Sequence, residues 1–444
     1  MPIREEVTSA APTGPRNAKR AGLQLPFLAA FFFGAVAASL LILKAAPAPF
    51  FWLWLTWAAA LFSAFFFVHR SWPQAILLNL GIVACLLAAA EAHLISHEYT
   101  PTIFPEGGFF VSDQVLGWAP GKGIKAHAIK YGPAGLLHGP HGLLFDRIYT
   151  IDSNGLRLAP PYRKYDLAGT VLFFGCSFTF GEGLRDSETL PYQVGAQSAG
   201  RYRTFNFAVQ AYGPSQMLAA IEDGMVRRVV DTAPQYALYV AIPDHVWRVA
   251  GKVPWGWHAP RYVLDGDGTA HRAGDFEDRK PLAERLGLTM GCKCGQCPDC
   301  ESHELLAERL GLTWGLRQLS KSAVWRRLWN GYPSINDDDI RRYLAVVRRS
   351  QELLTARYPG LQFHVILWPD GHGRQQRYAY EEMREGFRQM GIPLHLVEDI
   401  LPGCRVDLST YMLSSVDPHP NALADRLLAK YVLEKVLRPD ASDL

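Results

Sequence analysis

The sequence has almost no excess of charge of either sign. Its 45 lysine and arginine residues are nearly balanced by 42 aspartate and glutamate residues, which leaves a formal net charge of +3 over 444 residues. Proteins that bind nucleic acid concentrate positive charge on one face or in one region. The near balance therefore argues against nucleic acid as a partner.

Charged residues are also missing from three long apolar runs near the N-terminus. The runs cover residues 25–43, 50–68 and 75–90. Each is close to the length that a helix needs to cross a hydrocarbon core of roughly 30 Å, the third being the shortest. We expect three membrane-spanning helices within residues 23–95. A cleaved signal peptide is the alternative for the first run, because basic residues precede it and small residues follow it.

The basic residues around these runs predict the orientation of the chain. Lys44 alone lies between the first and second runs, whereas Arg70 follows the second run and four basic residues precede the first, at positions 4, 16, 19 and 20. The positive-inside rule then places residues 1–22 in the cytoplasm. After three crossings, the rest of the chain would lie in a periplasmic or extracellular space. We expect a multi-pass protein of the inner (cytoplasmic) membrane.

Beyond the membrane region, residues 96–168 are rich in Gly and Pro and predict a small β-containing linker region, to which we assign no chemical role. From residue 169, short apolar runs alternate with amphipathic segments. Strands are predicted to begin at about 171, 204, 236, 363 and 394, with helices at about 187–199, 214–229, 337–357, 376–390 and 420–437. This alternation predicts a three-layer α/β/α domain with a parallel sheet over residues 169–444.

One connection in this domain is much longer than usual. It runs over about residues 246–336 and predicts an inserted subdomain. Four of the seven cysteines lie in it, within GCKCGQCPDC: Cys292, Cys294, Cys297 and Cys300. Four thiolates at such spacing can hold a structural zinc ion. In an oxidising compartment the same cysteines can instead form disulfides, and both alternatives stay open here.

Polar residues follow each predicted strand. In open parallel sheets, ligands bind beyond the carboxyl ends of the strands. Ser177 follows the first strand and Gly213 the second, and Asp/His pairs follow the last three: Asp244 with His245, Asp370 with His372, and Asp417 with His419. A hydroxyl, an imidazole and a carboxylate are the parts of an activated nucleophile with its base and orienting group.

Three blocks follow one another along the sequence: FFGCSFTFGEGLRDSETLPY, FNFAVQAYG and VDPHPNALADRLLAKYVL. They resemble blocks of the SGNH or GDSL hydrolases and have the same order as in that family. The resemblance implies a flavodoxin-like α/β fold with Ser177 as nucleophile, His419 as general base and Asp417 as orienting carboxylate. It further implies an oxyanion hole that includes the backbone amides of Ser177 and Gly213.

Two positions depart from the family pattern. Cys176 stands before the serine where the family usually has Asp, and Pro243 stands where an Asn side chain usually completes the oxyanion hole. Asp244, His245, Asp370 and His372 are the candidates for an accessory role. The Gly-x-Ser-x-Gly elbow of the α/β-hydrolases is not matched, because Thr179 occupies the place of the second Gly.

Together these features predict a membrane-anchored serine esterase or acyltransferase that faces the cell envelope. Its expected substrate is an acyl ester, plausibly acetyl, on a glycan or lipid, and no cofactor is required for catalysis. The alternative is a catalytically weak or inactive protein of the same fold that binds a glycan or organises an envelope assembly. A thiol redox or metal-delivery protein built around the four cysteines would leave the three blocks unexplained.

Overall fold

The computed structural model describes residues 16–45, 48–68, 71–96, 100–133, 142–253, 255–279, 322–324, 334–369 and 373–437. The described chain divides into two compact units. One contains the helices before residue 97 together with residues 322–324, and the other contains the remaining described residues. The small β-containing region therefore clusters with the α/β domain that follows it.

The first unit is built from three helices, α1 (Arg16–Ala45), α2 (Pro49–Phe67) and α3 (Ser71–Ser96). Among the described residues, α2 and α3 are each long and apolar enough to cross a membrane. They contain the second and third predicted runs. The first run lies in α1, whose described apolar part, Phe32–Lys44, is shorter than a span. Two candidate spans are thus present in the described residues, and the third predicted span stays a prediction.

The second unit begins with two antiparallel pairs of strands. The strands β1 (Phe110–Asp113) and β2 (Gly117–Pro120) form one pair, and β3 (Lys125–Tyr131) and β4 (Leu143–Thr150) form the other. In β3, buried and more exposed residues alternate, as expected of a strand with one face on a core. Its inward-facing positions include Lys130, a charged residue that needs buried partners.

The central sheet has five parallel strands, β5 (Gly169–Phe174), β6 (Tyr202–Asn206), β7 (Tyr236–Ala241), β10 (Gln362–Leu367) and β11 (Leu394–Leu396). Every residue of β5 and β7 is buried, which explains their continuous apolar sequence. The spatial order is β11-β10-β7-β5-β6. Read from the β6 edge and numbered along the chain, this is the flavodoxin-like order 2-1-3-4-5, whose switch point lies between β5 and β7.

Helices cover both faces of this sheet. Buried residues of α5 (Leu190–Gln197) pack on one face, and those of α6 (Pro214–Glu222) pack on the other. The other α-helices among the described residues of the unit are α4 (Ser177–Phe180), α7 (Met225–Val229), α8 (His245–Ala250), α9 (Asp337–Arg357), α10 (Arg374–Gln389), α11 (Val397–Ile400) and α12 (Ala422–Tyr431). Short antiparallel pairs are formed by β8 (Tyr262–Leu264) with β9 (Ala270–Arg272), and by β12 (Met412–Ser414) with β13 (Asp417–Pro420). The predicted three-layer α/β/α domain with a parallel sheet is confirmed.

The predicted helix over 214–229 is interrupted in the structure. The chain forms α6, turns at Gly224 with φ 75°, and resumes as α7. A left-handed residue cannot continue a right-handed helix, and glycine adopts that conformation without steric cost. The periodic apolar pattern continues across the break, which is why the sequence alone predicted one helix.

Candidate active site

Ser177 stands at the carboxyl end of β5, at the switch point of the sheet. The strand ends at Phe174, and Ser177 is the first residue of the short helix α4. Gly175 makes the connection with φ 154°, and a Cβ there would lie 2.1 Å from Thr179 Oγ1. Glycine is therefore required at this point of the turn. The tight connection fixes where the Ser177 side chain begins.

His419 and Asp417 lie on β13, immediately before α12. This strand pairs with β12, and Asn421 ends it by accepting hydrogen bonds from the Leu423 and Ala424 amides, each 3.1 Å away, as the N-cap of α12. With only Pro418 between them, the two side chains meet. His419 Nδ1 lies 2.5 Å from Asp417 Oδ1. Strand and helix cap thus hold the imidazole and carboxylate in one fixed relation.

The Ser177 hydroxyl completes a chain of three side chains. Ser177 Oγ lies 2.8 Å from His419 Nε2, a nitrogen on the opposite side of the ring from Asp417. All three side chains are buried, with Ser177 6% exposed and His419 5% exposed. The structure therefore brings together three residues that are up to 242 positions apart in the sequence. This is the geometry in which an imidazole can take a proton from a serine hydroxyl.

Neighbouring charged groups keep the Asp417 carboxylate ionised. Burial by itself pushes the pKa of Asp417 upward, but His419 and Lys130 outweigh that effect and hold the pKa below its ordinary value. Lys130 Nζ lies 2.9 Å from Asp417 Oδ2, the oxygen that does not face His419. An ionised Asp417 selects the His419 tautomer with its proton on Nδ1, which leaves Nε2 as the acceptor toward Ser177.

Three further buried residues, to which the sequence patterns gave no role, surround the side chains of Ser177, His419 and Asp417. Glu182 Oε2 lies 3.6 Å from His419 Nε2, and Lys130 Nζ lies 3.4 Å from Glu182 Oε1. Thr102 Oγ1 donates a hydrogen bond of 2.5 Å to the same Glu182 oxygen. Glu182 belongs to a block that the family resemblance covers, so a signal existed for it. Lys130 and Thr102 lie in the region predicted to be a small β-containing linker, to which the sequence assigned no chemical role.

Arg157 holds the turn that follows Ser177. The residue is fully buried, and its guanidinium donates hydrogen bonds to the carbonyl oxygens of Phe180, Gly181 and Leu184. Its Nε also lies 3.2 Å from Asp186 Oδ1. The planar fork of an arginine suits several acceptors at once. The sequence stretch YTIDSNGLR thus contributes a residue that holds the turn after Ser177.

The two backbone amides predicted to form the oxyanion hole differ in their hydrogen bonding. Ser177 is the first residue of α4, where a backbone N–H has no acceptor within the helix. Gly213 N–H instead donates to Gln216 Oε1 over 2.9 Å, as part of the cap of α6. Two residues earlier, Ala211 adopts φ 66°, a left-handed conformation that is unusual for alanine. Backbone strain of this kind often accompanies functional sites.

Comparisons with known proteins give structural matches only. No protein-family model matches the chain, and no curated protein matches it by sequence. Among solved structures, a protein assigned to the lipolytic G-D-S-L family from Desulfitobacterium hafniense DCB-2 is 11% identical, with 60% of this chain and 98% of that chain covered and a TM-score of 0.32. The psychrotrophic esterase EstA from Pseudoalteromonas sp. is 10% identical, with coverages of 60% and 96% and a TM-score of 0.31. A carbohydrate esterase is 10% identical, with coverages of 78% and 100% and a TM-score of 0.33.

These identities and TM-scores are low. The resemblance to the SGNH hydrolases is therefore supported by the sheet order and the site geometry of this chain. The parallel sheet has the flavodoxin-like order, a serine follows its first strand, and an Asp-x-His pair precedes its last helix. The fold is SGNH-like.

Asp244 and His245 do not join the triad of the SGNH-like domain. His245 is buried in the core, with Nδ1 2.6 Å from the Tyr239 hydroxyl, and burial holds its pKa well below the ordinary value. Asp244 precedes it as the N-cap of α8, and its pKa is raised by burial despite the opposing effect of Arg248. Asp370, His372, Cys292, Cys294, Cys297 and Cys300 lie outside the described residues.

The SGNH-like domain also has a cavity of about 350 Å³ among its described residues. Its lining combines apolar side chains such as Phe174, Phe207 and Met217 with polar groups such as Lys122. Ser177, Asp417 and His419 are not among its lining residues. Gln216 is, and this residue accepts the Gly213 amide hydrogen. The cavity therefore adjoins the loop after β6 rather than the triad itself.

Proposed function

We propose that this protein is a membrane-anchored serine esterase or acyltransferase that works through an acyl-Ser177 intermediate. The observation that carries the proposal is the continuous chain from Ser177 Oγ to His419 Nε2 at 2.8 Å and from His419 Nδ1 to Asp417 Oδ1 at 2.5 Å. Both distances are within the reach that general-base catalysis needs.

The proposed reaction has two halves. Ser177 Oγ attacks the ester carbonyl carbon as its proton passes to His419 Nε2, and Asp417 stabilises the resulting imidazolium. The ester C–O bond breaks, and His419 returns the proton to the leaving alcohol. Water or an acceptor hydroxyl then gives its proton to His419 and attacks the acyl-Ser177 carbonyl, which releases Ser177 with its hydrogen. Water makes the protein an esterase, and a sugar or lipid hydroxyl makes it an acyltransferase.

Oxyanion stabilisation is proposed to begin with the Ser177 amide. The backbone amide of Gly213 can contribute only if its hydrogen bond to Gln216 breaks, since Gln216 Oε1 accepts that hydrogen in this structure. Loss of one oxyanion donor typically costs about 10² to 10³ in rate. We therefore expect slow turnover of simple esters unless substrate binding rearranges the turn before α6.

The proposed location follows from the apolar helices and the distribution of basic residues. With α2 and α3 crossing the membrane and α1 as a third span, the positive-inside rule would put the SGNH-like domain outside the cytoplasm. The proposed substrate rests on this location and on the family resemblance: a small acyl ester, such as an acetyl ester, on a cell-envelope glycan or lipid. No cofactor is needed for this chemistry, and the four cysteines of the insertion would hold a structural zinc ion or form disulfides.

Turnover of a short-chain aryl acetate by the full-length protein tests the proposal. We expect measurable hydrolysis by the wild type and none above background for Ser177→Ala. Ser215→Ala is the matched control, because Ser215 is also a buried serine and has no place in the triad. Equal turnover by wild type and Ser177→Ala would contradict the proposal.

A binding role is the second candidate. The engaged Gly213 amide and the proline at position 243 are the observations that favour it. It predicts that a folded wild-type protein neither hydrolyses the aryl acetate nor reacts with a serine-directed probe, while it retains an acylated glycan.

A further inference from the structure

A second carboxylate faces the candidate general base. His419 Nδ1 lies against Asp417, as in any Ser-His-Asp arrangement, but Nε2 faces two groups. Ser177 Oγ is 2.8 Å away and Glu182 Oε2 is 3.6 Å away. The imidazole therefore lies between two carboxylates, one at each ring nitrogen.

Lys130 connects these two carboxylates. Its Nζ lies 2.9 Å from Asp417 Oδ2 and 3.4 Å from Glu182 Oε1. Thr102 donates to Glu182 Oε1 and fixes that side of the carboxylate, so that Oε2 is left toward His419. Lys130, Glu182 and Asp417 are each at most 2% exposed. Buried charges of this kind are costly unless their partners are in place.

The charges of this network balance when His419 is an imidazolium. Two carboxylates and one ammonium give a net charge of −1 when the imidazole is neutral, and the imidazolium brings the sum to zero. Burial pushes the pKa of Glu182 upward, but His419 and Lys130 outweigh it and hold that pKa below the ordinary value. Both carboxylates are thus ionised at neutral pH. In a dry site these charges are only weakly screened.

We propose that Glu182 and Lys130 are positioning residues of the triad: the Glu182 carboxylate stabilises the positive charge of the His419 imidazolium from the Nε2 side, and Lys130 holds both carboxylates beside the ring. This inference rests on the proposed function. The proton that leaves Ser177 Oγ moves to His419 Nε2. While Ser177 Oγ is bonded to the acyl carbon, the charge of Glu182 stabilises the imidazolium, until His419 delivers the proton to the leaving alkoxide. The ring returns to its neutral form, and no other reactant is consumed.

Lys130, Thr102 and Glu182 come from three separate segments of the chain, and this convergence supports a role for them in the site. Lys130 comes from β3 and Thr102 from the segment before β1, whereas Glu182 follows α4 on the turn that Arg157 holds. The region before residue 169 therefore supplies two of the groups that surround the triad. Among the described residues, the charged or titratable groups that face His419 are Asp417 on its own strand, Glu182 from the turn after α4, and Lys130 beyond both.

The test is the pH dependence of inactivation by a fluorophosphonate probe, measured as a second-order rate constant on the full-length protein. The rate requires neutral His419, so its acidic limb reports the pKa of that residue. Glu182→Gln removes a negative charge beside the ring. We expect its midpoint to move to lower pH by roughly one unit, as for loss of an opposite charge within a few ångströms. Lys130→Met removes a positive charge, and its midpoint is expected at higher pH.

Two matched controls distinguish the effect of a charge beside His419 from the effect of removing any charge from the protein. Glu352→Gln changes an exposed carboxylate on α9, and Lys125→Met changes an exposed ammonium on the same strand as Lys130; both should keep the wild-type midpoint. Lys130→Arg retains the charge and should restore that midpoint. Where Lys130→Met does not fold, Glu182→Gln decides alone, because glutamine has the size of glutamate.

The outcomes are distinct. A Glu182→Gln midpoint equal to the wild type overturns the inference for Glu182, and a Lys130→Met midpoint at or below the wild type overturns it for Lys130. Failure of the folded wild type to react at any pH overturns the proposed function instead.

Discussion

Arg157 Nη1 donates a 2.6 Å hydrogen bond to the carbonyl oxygen of Gly181, four residues after Ser177. Through this bond the segment that follows β4 is tied to the turn that follows the candidate nucleophile. The Arg157 guanidinium also lies 4.2 Å from the Tyr149 ring centroid, so its planar face is packed as well as its donors satisfied. The β-strand region and the α/β domain meet at this residue.

Arg157→Lys is therefore expected to destabilise the protein strongly. A lysine keeps the positive charge but cannot serve three carbonyls and a carboxylate at once, which leaves buried acceptors without donors. We expect a loss of about 2 to 3 kcal/mol in the free energy of unfolding, measured by denaturant titration. Arg163→Lys changes an exposed arginine and should shift the value by less than about 0.5 kcal/mol. Similar losses for both variants would refute the role given to Arg157.

Asp417→Asn tests the orienting carboxylate. An asparagine amide can donate to Nδ1 and so select the wrong His419 tautomer, with the proton on the nitrogen that should face Ser177. We expect the rate of aryl acetate hydrolysis to fall by about 10⁴. Asp407→Asn, an exposed aspartate earlier in the same segment, should keep the wild-type rate. A loss below tenfold would show that Asp417 does not set the tautomer.

The stability of the protein is expected to fall as the pH is lowered below about 4. The pKa values of Asp417 and Glu182 are held below their ordinary values in the folded state. The unfolded chain therefore binds more protons than the folded one at pH values under the ordinary carboxyl range near 4, and the stabilisation is lost as pH falls through the lower folded values. Denaturant titrations between pH 3 and 7 would measure the slope. The double variant Glu182→Gln, Asp417→Asn should have a flatter profile; an unchanged slope would contradict this assignment.

His364 makes a second contribution to the dependence of the protein's stability on pH. This residue lies with Nδ1 3.0 Å from His395 Nε2, and burial, followed by His395, lowers its pKa to about 4. The unfolded histidine takes up a proton near pH 6.5, so stability is lost between about pH 6.5 and 4. His364→Gln should reduce the slope in that interval and leave the part below pH 4, while His245 and His395, whose pKa values burial also lowers, keep the remainder. An unchanged slope after the substitution would assign it to groups other than His364.

Ala211→Gly is expected to stabilise the protein. Alanine at φ 66° is strained, and glycine adopts this conformation freely. We expect a gain of about 1 kcal/mol in the free energy of unfolding. Ala345→Gly in the middle of α9 is the opposite control, with an expected loss of about 0.5 to 1 kcal/mol. A loss at both positions would show that the Ala211 conformation carries no strain.

Much of the site was predictable because the sheet imposes it. The strands β5 and β7 are continuous apolar runs, and residues after the carboxyl ends of parallel strands meet at one edge. Ser177 could thus be placed at this edge, whereas Asp417 and His419 lie on β13 and were assigned to Ser177 by the resemblance of their block to the family. The helix α9 was predicted at its observed bounds, since Asn336 caps it and its apolar residues are periodic.

The surrounding charges were not predictable in the same way. Lys130 is a single buried charge in a strand that otherwise alternates normally, and nothing local indicates that Asp417, far along the chain, neutralises it. The hydrogen bond from Gly213 to Gln216 depends on a side-chain rotamer, which sequence patterns do not specify. Pairings of this kind are set by packing between distant segments.

The most direct test of the central claim is to map the site of fluorophosphonate attachment on the full-length wild-type protein by peptide mass spectrometry. We predict one adduct, on the peptide that contains Ser177, formed by the wild type and by Ser215→Ala but not by Ser177→Ala. A folded wild-type protein with no adduct, or with its adduct on another residue, would contradict Ser177 as the nucleophile.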